Sequence, residues 1–309
     1  MRKGRGDQLS VITGIGDDCA VLQIPKSHET LVTTDFSLEG THFRREWHPP
    51  ESVGHRCLAR GLSDIAAMGG EPVAAFLSLA LPAKLPQAWA DSFIKGLLRL
   101  AKQFGINLAG GDTSQSPNGV LADIVVVGSV PKGKALLRSQ ARPGDRIYVT
   151  GALGASGAAL DILYSGKRKH LEPSLLAPHF FPQPRVPVGI VLRKKRIASA
   201  MIDISDGLST DLRHICEESG AGAEVYESSI PRASLGKPTR EVDLQFALNG
   251  GDDYELLFTA RPGVRVPPKI AGIQITEIGC ITVGKGMALV SSDGKKRKFQ
   301  PRGWEHFRA

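Results

Sequence analysis

Apolar positions along the chain fall into short runs separated by longer stretches of helical period. Cys19 to Ile24 and Thr30 to Asp35 read as two strands joined by a turn at Pro25. From Ser52, a good N-cap, Leu58, Leu62, Ile65 and Ala66 recur on one side and predict a helix to about Met68, stopped by Gly69-Gly70. Ala74 to Leu81 predicts a strand, Gln87 to Phe104 an amphipathic helix, Ile106 to Ala109 a short buried strand and Leu121 to Val130 another. Strands alternating with helices predict an α/β or α+β first domain. The turn residues Ala141-Arg142-Pro143-Gly144 set a boundary, dividing the chain into 1–138 and 139–309. Beyond it we expect a strand at Arg146 to Thr150, a helix opening near Gly154, a strand at Ala200 to Ile204 and a helix from Ser209 to Ser219. Ala223 to Tyr226, Tyr254 to Thr259 and Ile273 to Ile281 complete the strands. Lys167 to Pro187, rich in Pro and His, predicts an irregular surface connection.

Acidic residues punctuate these elements in Gly-, Ser- or Thr-flanked clusters: Gly16-Asp17-Asp18, Thr33-Thr34-Asp35, Ser63-Asp64, Gly110-Gly111-Asp112-Thr113, Asp203-Ile204-Ser205-Asp206-Gly207 and Gly250-Gly251-Asp252-Asp253. Taken singly, an Asp beside glycine is a turn or an N-cap residue. Repetition argues for more, because converging carboxylates repel unless cations lie between them. Short carboxylates with hydroxyls and carbonyls are hard-oxygen ligands suited to Mg²⁺ held together with substrate phosphates. The pattern therefore predicts a Mg²⁺-dependent enzyme acting on phosphates.

At 309 residues the chain is long enough for two domains with real cores. Thirty-nine Lys and Arg against 31 Asp and Glu give a net charge of +8, concentrated in Arg193-Lys194-Lys195-Arg196 and Lys295-Lys296-Arg297-Lys298. No aromatic residues interleave with these runs, so they read as solvated element ends rather than a nucleic-acid patch. Cys19, Cys57, Cys216 and Cys280 form no C-x-x-C pair, which excludes a zinc ribbon or disulfide framework and fits a reducing cytoplasm. No membrane span or signal-like segment is expected.

Two glycine patterns are decoys. Gly128-Ser129-Val130-Pro131-Lys132-Gly133-Lys134-Ala135 has P-loop spacing, but Ala135 replaces the hydroxyl that would hold Mg²⁺. Gly151-Ala152-Leu153-Gly154-Ala155-Ser156-Gly157 opens a helix with the wrong spacing for a dinucleotide fingerprint, leaving a tight turn that could approach a phosphate. His42 could be a base, a ligand or a packed loop residue, with no Ser or Cys nucleophile beside it, and His55, His179 and His214 read as surface or interface histidines.

In order, Gly14-Ile15-Gly16-Asp17-Asp18, Thr33-Thr34-Asp35, Glu39-Gly40-Thr41-His42-Phe43, Leu62-Ser63-Asp64, Gly110-Gly111-Asp112-Thr113, Arg138-Ser139, Pro143-Gly144-Asp145, Asp203-Ile204-Ser205-Asp206-Gly207, Gly250-Gly251-Asp252-Asp253-Tyr254-Glu255 and Gly303-Trp304-Glu305-His306-Phe307 cover nearly the whole chain. In this set and sequence the motifs resemble the thiamine-monophosphate kinase family, related to aminoimidazole ribonucleotide synthetase and selenophosphate synthetase. The resemblance implies a two-domain α/β (α+β) synthetase-like fold. Residues 1–138 would bind ATP and Mg²⁺ and pair into a homodimeric β-barrel, and 139–309 would form an α/β domain on a mixed sheet. It implies phosphorylation of thiamine monophosphate by ATP, the last step in making thiamine diphosphate, in the cytoplasm and without nucleic-acid or membrane partners. By motif, Asp18, Thr33, Thr34, Asp35, Asp64, Asp112, Asp203 and Asp206 match Mg²⁺ positions. Gly111, Asp112, Arg138 and Ser205 match nucleotide contacts, and His42, Asp252 and Trp304 face the thiamine phosphate. Asp112, Asp203, Asp206 and Arg138 would carry catalysis.

There are departures. Only thirteen residues precede Gly14, where the family has an additional helix, so a shortened N-terminus is expected. Asp252 stands where Glu is common. The alternatives are a ring-closing relative in the same superfamily and a catalytically silent Mg-nucleotide-binding protein; selenophosphate synthesis lacks its reactive N-terminal Cys.

Overall fold

The computed structural model describes residues 10–16, 18–166 and 172–304. Asp17, the segment 167–171 and the ending Glu305-His306-Phe307 lie outside the described residues, as does everything before Ser10. The chain forms two compact units, one built from residues up to Ile65 with Gly70–Ala135 and one from Ala66–Gly69 with Leu136 onward.

The first unit contains β1 (Ser10–Thr13), β2 (Val21–Gln23), β3 (His28–Leu38), α1 (Pro50–Ala67), β4 (Glu71–Pro82), α2 (Gln87–Phe104), β5 (Asn107–Ser116) and β6 (Leu121–Pro131). β1 and β2 form a small hairpin, and the other strands make one sheet in the order β3-β6-β4-β5, antiparallel except for β4 and β5. The sheet is open, with β3 and β5 as its edges among the described residues. Gly128, at the head of the P-loop-like sequence, is in the middle of the β3–β6–β4 pairing and forms no loop. Along β3 the polarity is inverted. Val32 and Phe36 are 65% and 54% exposed, while Ser37 is buried.

Two glycines let α1 and α2 touch backbone to backbone. A Cβ on Gly54 would stand 1.9 Å from the Phe93 carbonyl oxygen, and one on Gly96 would stand 2.0 Å from that of Glu51. β5 runs on through Gly110-Gly111-Asp112, where a turn was expected. A register shift opposite Ala75 and Phe76 leaves Ala109 unpaired, and the strand then resumes. Only glycine fits at 111, because its φ is +148° and a Cβ would lie 1.9 Å from the Leu77 carbonyl oxygen.

The second unit contains β7 (Arg146–Thr150), α3 (Ala155–Tyr164), α4 (Pro173–Phe180), α5 (Val186–Lys194), β8 (Ala200–Ile204), α6 (Leu208–Ser219), β9 (Gly222–Tyr226), β10 (Ser234–Leu235), β11 (Arg240–Glu241), α7 (Leu244–Asn249), β12 (Glu255–Ala260), β13 (Lys269–Ile270), β14 (Ile273–Thr282), β15 (Gly286–Val290) and β16 (Lys296–Lys298). Eight strands form a mixed sheet in the order β16-β15-β9-β14-β7-β12-β8, with β13 beside β14 and only β9 and β15 parallel. β8 and β12 are buried along their whole length, so their continuous apolar runs read clearly as strands. Ile147, Val149, Ile202, Ile204, Leu208, Leu212 and Leu257 join sheet and helix in one core.

The expected irregular stretch up to Pro187 is corrected to α4 and the start of α5. Pro173 and Pro187 sit in first helical turns, where the missing N–H costs nothing. His179 is buried at 1% exposure and bonds Ser156 Oγ through Nδ1 at 2.9 Å, and His55 is buried as well, so neither is a surface histidine. In this unit Glu255 is buried against Arg185, which donates Nε to Oε2 at 2.7 Å and Nη2 to Oε1 at 2.5 Å. Of the basic runs, Arg193 is buried with Nε on the Gly69 carbonyl at 2.6 Å, and on β16 Lys296 pairs with Glu224 and Arg297 with Glu227. No helix of the described residues is long and apolar enough to cross a membrane.

The helix crossing gives a signed test. Helix propensity favours Gly96→Ala by about 1 kcal/mol, but forcing a methyl onto a backbone carbonyl costs about 1–3 kcal/mol. Overlap dominates at this distance, so Gly96→Ala should lower Tm by a few degrees; a rise in a thermal melt would show that the helices part freely.

Candidate functional site

In the first unit a cleft of about 590 Å³ is lined by Gly14 to Gly16, Asp18 to Ala20 and Leu108 to Thr113, with Phe76, Leu77 and Ile94 as its apolar side. Asp18, Gly111 and Asp112 are therefore neighbours across one cavity. The Asp112 Oδ1 accepts the Thr113 N–H at 2.8 Å, which fixes the carboxylate at the rim.

Strand geometry splits the Thr33-Thr34-Asp35 run, since successive side chains point to opposite faces. The Thr33 hydroxyl donates to Asp64 Oδ2 from α1, while Thr34 donates to Asp123 Oδ1 at 2.7 Å on the other face. Register sets Phe36 beside Asp123, Asp123 beside Ser78 and Ser78 beside Asp112. Asp112 thus shares the Thr34 face, and Asp35 shares that of Thr33 and Asp64. Asp123 was not foreseen, because nothing around it in sequence resembles the other acidic motifs. Cys57, fully buried on α1, has its thiol pushed up to about 12 by burial, which removes it as a nucleophile. His42 sits in the turn after β3 with Nδ1 accepting the Leu38 N–H at 3.0 Å.

In the second unit three segments meet at the start of α6. Asp203 is the last residue but one of β8, buried at 3% exposure, and Ser205-Asp206-Gly207 leads from the strand into the helix. The Ser205 carbonyl accepts the Asp252 N–H at 2.8 Å, and the Ile204 carbonyl accepts that of Tyr254 at 2.9 Å. The Asp206 carbonyl accepts the Trp304 N–H at 3.0 Å, while Arg302 and Gly303 donate to Ser209 Oγ and Thr210 Oγ1, each at 3.2 Å. Asp203, Ser205, Asp206, Asp252 and Trp304 are thereby gathered, and the Trp304 ring is 51% exposed. Asp252 and Tyr254 have φ of +62° and +51°, uncommon for residues with side chains, and the buried Tyr254 hydroxyl donates to Asp252 Oδ1 at 2.6 Å. Arg138, in a short 3₁₀ turn, accepts Ser219 Oγ on its carbonyl at 2.8 Å. Burial and then the Arg138 charge hold His214 of α6 below the ordinary histidine range.

Asp206 is not the cap of α6. Gly207 holds the N-cap place without a side-chain bond, and the work falls to Asp211, whose Oδ2 accepts the N–H groups of Ser205, Asp206 and Gly207. Burial, then Asp203 and Asp206, raise the Asp211 carboxyl well above the usual range. Ligand atoms of Asp206, Asp211 and His214 lie within 4.8 Å of one another. Crowded carboxylates, hydroxyls and a single imidazole without thiolates suit a hard divalent cation that would relieve the repulsion. Asp211 is not singled out by the sequence because it has no glycine neighbour, although an acidic residue early in a helix is a known capping signal, and His214 reads only as a surface or interface histidine.

Asp253 is spoken for. Its carboxylate accepts the Gly154 N–H at 2.6 Å and the Ser156 N–H at 3.2 Å. The glycine turn before α3 thus meets the chain's own anion rather than a phosphate.

The chain has clear relatives. "AIR synthase related protein, N-terminal domain" matches residues 16–130 and the corresponding C-terminal domain matches 142–294. The thiamine-monophosphate kinase of Salmonella typhimurium is 39% identical over 98% of this chain and 94% of its own length, and that of Bacillus subtilis is 33% identical over 97% and 94%. Among solved structures, the thiamine-monophosphate kinase of Stenotrophomonas maltophilia superposes with TM-score 0.82 at 36% identity, covering 93% of this chain and 92% of that one. A complex of AaThiL with AMPPCP and TMP superposes with TM-score 0.81 at 33% identity, covering 91% and 88%.

Asp253 yields a pH test. Burial pushes its carboxyl from 3.8 up to about 7, against the pull of its two backbone donors. A folded value above the unfolded one means its contribution to stability is full below the unfolded value and is lost as pH rises through the folded one. Asp253→Asn keeps an acceptor but cannot ionise, so its Tm relative to wild type should climb between pH 5 and pH 8, a range set by that shift. A Tm difference that stays flat across this range would refute the assignment.

Proposed function

The chain belongs to the thiamine-monophosphate kinase family, and from that premise we propose that it transfers the γ-phosphoryl group of ATP to thiamine monophosphate, giving ADP and thiamine diphosphate. The observation that carries this reading is the junction at the start of α6, where backbone bonds tie Ser205 to Asp252 and Asp206 to Trp304 just beyond Asp203 of β8. The relative solved with AMPPCP and TMP supports both substrates.

The attacking group is a phosphate oxygen of thiamine monophosphate. A phosphomonoester has a second pKa of about 6 and is largely ionised at neutral pH, so no general base is required. The barrier is the approach of two polyanions, and catalysis rests on positioning and charge neutralisation. Mg²⁺, when bound, supplies that neutralisation. Asp18, Thr33, Thr34, Asp35, Asp64 and Asp112 in the first unit, and Asp203 and Asp206 in the second, would hold it. Thr34 offers its hydroxyl on the face opposite Thr33, so these residues serve distinct positions rather than one. Gly111, Asp112, Arg138 and Ser205 would bind the nucleotide, with the Arg138 guanidinium making a charge-assisted contact to phosphate. Asp112, Asp203, Asp206 and Arg138 form the reacting set, and transfer is direct and in line, without a phosphoenzyme. His42, Asp252 and Trp304 would receive the thiamine phosphate, the tryptophan face stacking on its cationic ring. Asp252 is one methylene shorter than the family's usual Glu, and Tyr254 holds its carboxylate in place.

We propose that residues 1–138 carry the nucleotide and pairing roles and 139–309 the remainder. The outward Val32 and Phe36 of β3 suit burial against a second copy, which would close the open sheet into a barrel shared by a homodimer. Its substrates and free cysteines fit work in the cytoplasm.

Purified protein with Mg-ATP should convert thiamine monophosphate, and not free thiamine, to the diphosphate, as followed by chromatography. No product from either acceptor, with ATP still bound, would transfer the chain to another reaction of the superfamily. Trp304→Ala should raise KM for thiamine monophosphate about tenfold, the scale of one cation–π contact, and leave KM for ATP within about twofold. An equal rise for both substrates would assign Trp304 a purely structural role.

A further inference from the structure

We infer that Asp211 is a positioning residue for the transfer site, clamping the Ser205-Asp206-Gly207 loop so that Asp206, Asp252 and Trp304 hold their places. The description of the site as a transfer site rests on the function proposed above; the clamp itself rests on geometry.

Asp211 lies in the first turns of α6 and is 1% exposed. Its Oδ2 accepts three successive backbone N–H groups, from Ser205 at 3.1 Å, Asp206 at 3.2 Å and Gly207 at 3.0 Å. A side chain that served only the helix would satisfy donors at its N-terminus, as capping residues do. Only Gly207 belongs to that end; Ser205 and Asp206 precede it. Two of the three bonds therefore order the loop rather than the helix.

The same loop is held from its other edge. Its Ser205 carbonyl takes the Asp252 N–H and its Asp206 carbonyl takes the Trp304 N–H. Donors of one short stretch face Asp211 while its acceptors face the substrate-side segments. Three N–H bonds converging on one buried carboxyl oxygen tie this stretch at three successive residues. Loosening it releases Asp206 directly, and Asp252 and Trp304 through their backbone bonds. Glycine at 207, with φ +113° and its Cβ position 2.8 Å from Asn249 backbone carbon, lets the chain turn tightly enough for all three N–H groups to converge.

The test uses the full chain with Asp211→Asn, which keeps the shape and one acceptor oxygen, and reads amide hydrogen exchange at 205–207 beside the Mg²⁺ dependence of the kinase. The clamp requires exchange at these amides to accelerate by about tenfold or more, the scale of losing a bond to a charged group. The Mg²⁺ concentration for half-maximal rate should rise about tenfold, with kcat largely restored at saturating Mg²⁺. Asp211→Glu, which retains the charge, should recover part of both effects, whereas a residue important only for folding would lower Tm and leave the Mg²⁺ dependence unmoved. Unchanged exchange in Asp211→Asn overturns the clamp. If that variant does not fold, the wild type decides: amides 205–207 exchanging as fast as the exposed turn at Gly263 overturn it equally. A wild type without kinase activity overturns the proposed function alone, and the exchange result still judges the clamp.

Discussion

Repulsion among carboxylates held close together is the constraint on which the rest of this structure depends. The second unit concentrates Asp203, Asp206 and Asp211 around one helix start, and burial, followed by the charges of the other two, raises the carboxyl of Asp211. Such a cluster survives only if the backbone beneath it is held firmly, and here peptide groups rather than long side chains do the holding. The loop 205–207 directs its N–H groups to Asp211 and its carbonyls to Asp252 and Trp304. Apart from the short Asp211 side chain, the tethers are main-chain groups, which carry no rotamer freedom of their own.

Acidic residues that look alike in sequence differ in what their carboxylates hold. Asp252 and Asp253 are adjacent, yet one is held by the Tyr254 hydroxyl beside the Trp304 junction and the other caps α3. Asp206 and Asp211 are five positions apart, and only the latter secures the helix start. Asp211 and Asp253 meet backbone donors at close range, whereas Asp252 meets the Tyr254 hydroxyl.

Much of the fold was legible because its strongest signals are local. The helix Gln87–Phe104 and the strands Arg146–Thr150 and Ala200–Ile204 carry unambiguous periods or apolar runs between clear breaks, and they stand where the pattern put them. The helix at Pro173 was hidden because proline reads as a breaker until its first-turn position is known. β5 was cut short at its glycines because the signal for a turn and for close strand contact is the same residue; the Leu77 carbonyl that distinguishes them lies far away in sequence. The candidate acids of the second unit were found by their glycine neighbours, and the structure gathers them. Asp123 and the capping role of Asp253 depend on partners that only folding brings near, so no local pattern announced them. The donors of Asp211 lie four to six residues before it, and their convergence needs the turn at Gly207. The run Thr33-Thr34-Asp35 looked like one group and is two, a direct result of strand alternation.

β3 has a further consequence, for how folded chains meet one another. Among the described residues it is an edge strand, paired along one side only, and its Val32 and Phe36 are exposed. Burial of apolar surface alone would favour sliding this strand by one residue, exchanging Thr33 and Asp35 for those two side chains. The eleven-residue pairing with β6 opposes that slip. A newly made chain at high concentration therefore presents a ready template for indiscriminate strand addition. An edge of this kind favours strand addition between folded chains, so the stability of the core alone does not fix how well the chain stays dispersed.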